Sequence, residues 1–160
     1  MVYGIKAEGM TVLYDAIVRA AQELANRSER RKAIIVLSDG MDTKSGASME
    51  KALNSALAID ATIYAVDMSA DGGSATSNRQ SAGILKSLAE KTGGRFVATP
   101  GGPAMREAFQ SIVQELGEQY TVGYQPSNLQ RDGKWRSIKV ELNRPKYQAR
   151  TRKGYRAPKS

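Results

Sequence analysis

A continuous apolar run that ends in a cluster of oxygen-bearing side chains constrains the fold of this chain more than any other feature. Residues 33–37 read Ala-Ile-Ile-Val-Leu, and they are followed directly by Ser38, Asp39, Gly40, Met41, Asp42 and Thr43. Apolar runs without alternation are typical of strands that are buried on both faces of a parallel sheet. Ligands of open α/β sheets bind just beyond the carboxyl ends of such strands, and carboxylate and hydroxyl oxygens suit a hard cation such as Mg²⁺. The run therefore predicts a metal-assisted binding site at the end of a buried strand.

Helical and strand patterns alternate along the first three quarters of the chain. Apolar residues recur at helical spacing between Val12 and Leu24, and residues 61–66 form a second apolar run. The other predicted elements are a helix with Ser48 as its N-cap, a helix that ends at Gly93-Gly94, a short strand at residues 95–98 and a helix from Met105 to Leu116. This alternation predicts a Rossmann-like, three-layer α/β domain with mainly parallel strands, spanning residues 1–118.

The sequence pattern changes after Gln119. Three segments rich in aromatic and β-branched residues follow, at residues 120–124, 135–142 and 147–155. Turn signals separate them, with Asp132-Gly133 at the expected tip of one turn. We therefore predict a second unit at residues 119–160, an antiparallel β-hairpin extension packed on or beside the α/β domain.

The composition excludes several kinds of chemistry. The chain has 160 residues and contains neither histidine nor cysteine. Ser-His-Asp catalysis, histidine-ligated zinc, disulfides and cysteine nucleophiles are therefore absent from its repertoire. No apolar stretch approaches the length of about 20 residues that a membrane helix needs, so we expect no membrane span.

The positive charge is concentrated at the C-terminal end. The net charge is +8, and the basic excess lies in residues 131–160. Basic groups interleaved with aromatic rings can bind single-stranded nucleic acid or another anionic surface. The candidate residues for this alternative are Arg136, Arg150, Arg152 and Lys153. The simpler interpretation, a solvated basic hairpin whose aromatic rings pack against the sheet, is favoured, and a nucleic-acid partner is not expected.

The order and spacing of several motifs resemble the von Willebrand factor type A (VWA) family, in particular a bacterial VWA-related group. The segment Gly9–Ile17 is similar to the family's threonine loop and the helix after it, and Ile34–Asp42 to its central strand ending in Ser-Asp-Gly. Residues 63–67 and 94–97 are similar to its later strands, and the motifs around Tyr120–Pro126, Trp135–Val140 and Arg152–Tyr155 to the extension of the bacterial group. The resemblance covers the second half of the VWA fold, roughly residues 9–116.

The resemblance implies part of a metal-ion-dependent adhesion site. Family members hold Mg²⁺ through three loops, and here Thr11 matches the second loop and Asp39 the third, with Asp42 as a neighbour. The first loop, Asp-x-Ser-x-Ser, has no counterpart before Thr11, so we expect weak Mg²⁺ binding that folding does not require. Alternatively, Thr11 is only the N-cap of its helix and Asp39 only a turn residue.

These features predict a non-enzymatic module for adhesion or complex assembly that binds a protein ligand, and full-length relatives are expected to be exported. A Mg²⁺-dependent phosphoester hydrolase is the less favoured alternative, because such enzymes usually carry Asp-x-Asp whereas this chain has Asp39-x-x-Asp42. Loss of the first half of the fold is expected to leave the strand at residues 33–38 with an unpaired edge. We expect that edge either to form a homo-oligomer or to be covered by the chain's own N- or C-terminal segment.

Overall fold

The computed structural model describes residues 10–38, 41–68, 75–99, 102–144 and 146–159, and of residues 75–78 it describes the backbone alone. Four helices and five strands form in this part of the chain. In chain order they are α1 (Leu13–Ala25), β1 (Lys32–Ser38), α2 (Met49–Ala58), β2 (Ala61–Asp67), α3 (Ala75–Thr92), β3 (Phe96–Ala98), α4 (Gly102–Gly117), β4 (Trp135–Ser137) and β5 (Gly154–Arg156). We call residues 10–118 the body and residues 119–159 the extension.

The body contains a three-stranded parallel sheet in the order β1-β2-β3. β1 and β2 pair along their whole length, from Lys32 opposite Ala61 to Ser38 opposite Asp67. β3 continues the sheet, with Val97 opposite Val66. The prediction of a mixed α/β fold with parallel strands is therefore confirmed, because both apolar runs form parallel strands. β2 is buried on both faces, whereas β1 is only partly buried.

Helices cover the two faces of this sheet unequally. On one face, Ile34, Val36 and Ile63 belong to a large buried cluster to which α1, α2 and α3 all contribute. On the other face, Tyr64 and Val66 pack against Ile112 of α4 in a smaller cluster. One face therefore carries three helices, while the described residues supply one helix to the other.

The turn between α3 and β3 depends on the two predicted glycines. Gly93 has a φ of 85°, a left-handed conformation that ends α3 without the steric cost of a side chain. At Gly94, an added Cβ would lie 1.9 Å from the carbonyl oxygen of Ile63. Only glycine therefore allows this segment to pass so close to β2.

The extension differs from its prediction. β4 and β5 are antiparallel, as expected for this region, but they form a separate two-stranded sheet and are joined by a long connection. The expected strand at residues 120–124 is absent, because its alternating apolar side chains find no face to cover, and Tyr120 is 94% exposed. Asp132 forms an isolated antiparallel bridge with Lys159, and β4 pairs with β5, so Asp132-Gly133 is not the tip of a hairpin between residues 120–124 and β4.

The starts of two predicted helices also differ from the sequence pattern. α1 begins at Leu13, just after the start of its apolar pattern at Val12, and α4 begins at Gly102, ahead of the predicted start at Met105. Ser48 caps α2 as predicted, since its side chain accepts a hydrogen bond from the backbone N–H of Lys51. Within the described residues, no helix is long and apolar enough to cross a membrane.

Candidate functional site

Buried polar residues collect at the carboxyl end of the parallel sheet. The strand register aligns Ser38, the last residue of β1, with Asp67, the last residue of β2. Thr99 follows β3, and its backbone N–H donates to the carbonyl of Asp67 at 2.9 Å. The exposed fractions of Ser38, Asp67 and Thr99 are 9%, 5% and 2%. The sequence did not single out these three residues together, although the alignment of parallel strand ends could have indicated them.

The loop after β1 is hydrogen bonded to the chain just before α1. The backbone N–H of Thr43 donates to the carbonyl of Thr11 at 2.9 Å, and the N–H of Thr11 donates to Thr43 Oγ1 at the same distance. Lys44 N–H also donates to the Thr11 carbonyl, at 3.2 Å. These bonds hold Thr11 beside the loop that leaves the end of β1.

Asp42 caps α1 from outside that helix. Its Oδ2 accepts from the backbone N–H of Tyr14 at 2.8 Å and from the hydroxyl of Ser45 at 2.6 Å. Its Oδ1 accepts from the backbone N–H of Ser45 at 2.9 Å. Partial burial alone would raise the pKa of Asp42, but hydrogen bonds from the Ser45 side chain and from backbone groups outweigh it and lower the pKa. Asp42 is therefore an ionised carboxylate whose two oxygens are both engaged by the fold.

Asp15 makes the reciprocal contact from α1 to the loop before α2. Its Oδ2 accepts from the backbone N–H of Gly46 and its Oδ1 from that of Ala47, both at 2.8 Å. The N–H of Asp15 in turn donates to Ser45 Oγ at 3.1 Å. Sequence reasoning missed Asp15, for which the only signal was an acidic residue in the first turn of a helix.

Of the two predicted cation ligands, Thr11 and Asp39, the structure describes only Thr11. Thr11 is half-buried, and its hydroxyl donates no hydrogen bond to any described residue. Val12 occupies the N-cap position of α1 without a side-chain cap, so the alternative that Thr11 caps this helix is wrong. Asp39 lies outside the described residues. Where the structure describes the chain, no group of three or more acidic side chains is arranged to hold a metal ion.

Three of the four residues predicted for nucleic-acid binding form ion pairs within the chain. Arg136 contacts Asp132 at 2.9 Å within the extension. Arg150 pairs with Glu115 of α4, and Arg152 pairs with Asp60 at the start of β2. Lys153 donates its backbone N–H to the carbonyl of Lys91 at 3.2 Å and is exposed. Arg150 and Arg152 thus attach the extension to the body, whereas the ion pair of Arg136 lies within the extension.

A polar network at the opposite end of the sheet surrounds Tyr64. The buried Tyr64 hydroxyl donates to Glu115 Oε1 and accepts from Gln119 Nε2, both at 2.8 Å. Arg95 lies 3.7 Å from the other oxygen of Glu115. Burial, followed by the hydrogen bond to Glu115 and its charge, raises the pKa of Tyr64 to about 12. This network joins β2, α4 and the start of the extension, and none of these contacts involves Ser38, Asp67 or Thr99.

Comparisons with known proteins found no family model, no curated protein and no solved structure that matches this chain.

Proposed function

We propose that this chain is a non-enzymatic, protein-binding module of the VWA type, with an incomplete cation site at the carboxyl end of its parallel sheet. The parallel order of β1, β2 and β3 and the helices on both faces support a Rossmann-like arrangement of this kind. In such sheets, the carboxyl ends of the strands are where ligands bind.

The attachment of Thr11 to Thr43 is the observation that carries this proposal. Two backbone-mediated bonds of 2.9 Å hold Thr11 next to the loop that continues from β1 and from Asp39 in sequence. Thr11 and Asp39 are therefore the residues that would hold Mg²⁺. When bound, the ion offers a coordination position that a carboxylate of a partner protein can fill.

The donor set fits such an ion only in part. The hydroxyl of Thr11 is free to act as a ligand with respect to the described residues, whereas both oxygens of Asp42 already accept hydrogen bonds. We therefore leave Asp42 out of the proposed ligand set and assign it to the capping of α1. Because Mg²⁺ gives up its water reluctantly and is held weakly by few ligands, we expect affinity in the millimolar range.

A titration with Mg²⁺, repeated with paramagnetic Mn²⁺ and followed by amide NMR signals, tests the proposal. We expect shifts and line broadening confined to residues near Thr11, Ser38 and Thr43. Thr11→Val and Asp39→Asn should each abolish these shifts and the line broadening. The Thr11→Val variant keeps the backbone bonds to Thr43. Thr121→Val, at an exposed threonine of the extension, is the matched control and should leave them unchanged.

Two results would count against the proposal. Absence of localised shifts at millimolar metal would remove the cation site. Magnesium-dependent hydrolysis of p-nitrophenyl phosphate that Asp39→Asn abolishes would instead support the phosphoester hydrolase alternative. We expect no such turnover.

A further inference from the structure

Exposed apolar side chains of β1 and α4 lie beside the edge of the parallel sheet, where Leu37 and Phe109 line the same groove. In the described part of the chain, β1 pairs with β2 alone and so lies at the edge of the sheet. On the face covered by α4, Leu37 of β1 is 41% exposed, and Phe109 and Val113 of α4 are 42% and 52% exposed. We call this surface, made of β1 residues 33–37 with Phe109 and Val113, the edge surface.

A groove separates α4 from the edge of β1. It has a volume of about 540 Å³, and its lining residues are Leu37, Gly102, Pro103, Met105, Arg106 and Phe109. The inner side of α4, by contrast, is closed, because Ile112 is fully buried against Tyr64 and Val66. The groove therefore lies beside the edge of β1 that no other described strand pairs.

β1 lacks the devices that usually protect an edge strand. Residues 33–37 carry no charge and no proline, and the strand pairs with β2 over seven positions. Long, apolar edge strands are templates for pairing with another strand, and most proteins blunt them with lysine, proline or a bulge. Pairing along residues 33–37 would supply backbone partners that no other described strand supplies at this edge, and burial of the neighbouring apolar side chains would add to the stability of the contact.

We propose that the partner of the edge surface is a second copy of this chain, bound through antiparallel pairing of β1 with β1. The charges at the two ends of the strand carry this choice. Arg30, Arg31 and Lys32 stand at the amino end of β1, and the acidic residue Asp42 follows its carboxyl end. An antiparallel partner sets the basic end of one strand beside the acidic end of the other, whereas a parallel copy would bring the basic ends together.

α4 also carries a basic residue near one end and an acidic residue near the other. Their order in space is the reverse of the order of charges along β1. The helix runs antiparallel to β1, with the exposed Arg106 near its amino end and the exposed Glu118 just after its carboxyl end. A two-fold axis relates two β1 strands that pair in antiparallel fashion. The same axis therefore brings Arg106 of one copy toward Glu118 of the other. Because strand and helix favour the same axis, the surface is complementary to itself, as a two-fold interface requires.

A register centred on Ile35 uses the whole apolar part of the strand. It places Ile35 opposite Ile35 of the second copy, and Ala33 opposite Leu37 of the second copy. The two sheets then form one six-stranded sheet, and the exposed Leu37, Phe109 and Val113 of both copies line the space between the two α4 helices. The interface uses the sides of β1 and α4, whereas the proposed cation ligands Thr11 and Asp39 precede α1 and follow β1 in the chain.

Molecular mass measured by light scattering and by sedimentation over a range of concentrations tests the proposal. We expect a reversible dimer that persists in EDTA and in the Thr11→Val variant. The result of this measurement is therefore independent of the cation site. Leu37→Lys and Phe109→Glu should each weaken the dimer by about tenfold or more. Val140→Lys, at an extension residue of similar exposure (47%), is the control and should not. Unchanged circular dichroism confirms that the variants fold.

Single cysteines in this cysteine-free chain test the register. Directly opposed residues of antiparallel strands have Cα atoms about 4.5–5.5 Å apart, within the range that a disulfide spans. Ile35→Cys should therefore cross-link two copies on oxidation, whereas Leu37→Cys should not, because its two copies would lie about 14 Å apart. A monomer at every concentration, a dimer unaffected by both surface variants, or equal cross-linking at the two positions would overturn the proposal.

Discussion

The body and the extension are stabilised by different kinds of contact. Among the described residues, the buried hydrophobic ones belong to the body, with the single exception of Ala157. The extension instead exposes many of its large apolar side chains, including Tyr120, Val122 and Leu129, at 94%, 82% and 68%. Its contacts with the body include backbone hydrogen bonds, arginine–carboxylate pairs and the hydrogen bond from Gln119 to the Tyr64 hydroxyl. Apolar burial therefore determines the fold of the body, while polar contacts place the extension on it.

The two regions also use carboxylates differently. In the body, Asp42 and Asp15 accept hydrogen bonds from backbone N–H groups at the starts of helices or in the adjoining loop. On the surface that meets the extension, Asp60 pairs with the long side chain of Arg152, and 68% of the Asp60 side chain remains exposed. Bonds to fixed backbone donors lose little entropy when they form, whereas exposed ion pairs are screened by salt and contribute little.

Truncation of a leucine in each region should give the largest contrast. Leu88 is fully buried in the body, and Leu129 is 68% exposed in the extension. Leu88→Ala is expected to lower the free energy of unfolding by about 2–5 kcal/mol, because it removes buried contacts and leaves a cavity. Leu129→Ala should change it by less than about 0.5 kcal/mol. Urea unfolding of both variants measures the difference, and similar losses would contradict the division between the regions.

The acid sensitivity of the body should depend on Asp42. Its folded pKa lies below the unfolded value of 3.8, so its stabilising contribution is present above that value and is lost as the pH falls through the lower, folded one. Asp42→Asn should therefore cost about 1 kcal/mol near neutral pH, typical of a lost helix cap, and flatten the loss of stability in acid.

Unfolding measured from neutral pH to about pH 2 tests this dependence. Glu23→Gln, which changes an exposed acid of the same helix, is the matched control and should follow the wild-type curve. If Asp42→Asn and the wild type lose stability in parallel as the pH falls, Asp42 does not contribute through its charge.

Local sequence signals predicted most of the body. The apolar runs became β1 and β2, Ser48 became the cap of α2, and Gly93-Gly94 ended α3, because each of these features acts on residues close to it in the chain. The Rossmann-like VWA arrangement and the pairing of Thr11 with Asp39 at one cation site stay predictions.

Contacts between distant residues were not predictable in the same way. Asp42 caps a helix whose first turn lies 28 positions earlier, and Arg152 pairs with a carboxylate 92 positions away. In residues 120–124 the alternation of apolar and polar residues signalled a strand, but pairing depends on a partner and a face to bury, and the sequence of that segment specifies neither. The candidate site was indicated by strand ends, whereas the roles of Asp15 and Thr43 depend on how two loops meet.

Salt should affect the two regions unequally, and this is the smallest effect that we expect. Arg150, Arg152 and Arg156 of the extension pair with carboxylates of the body, namely Glu115, Asp60 and Glu50. Raising the ionic strength from about 0.05 to about 0.5 M shortens the range of these attractions, so amide hydrogen exchange in β5 should quicken a few-fold. Exchange at Ile63 and Ala65 of β2 should stay constant, because their protection depends on the buried sheet. Arg152→Ala should reproduce part of the effect at low salt. Equal salt dependence in β5 and β2 would show instead that the extension and the body open as one cooperative unit.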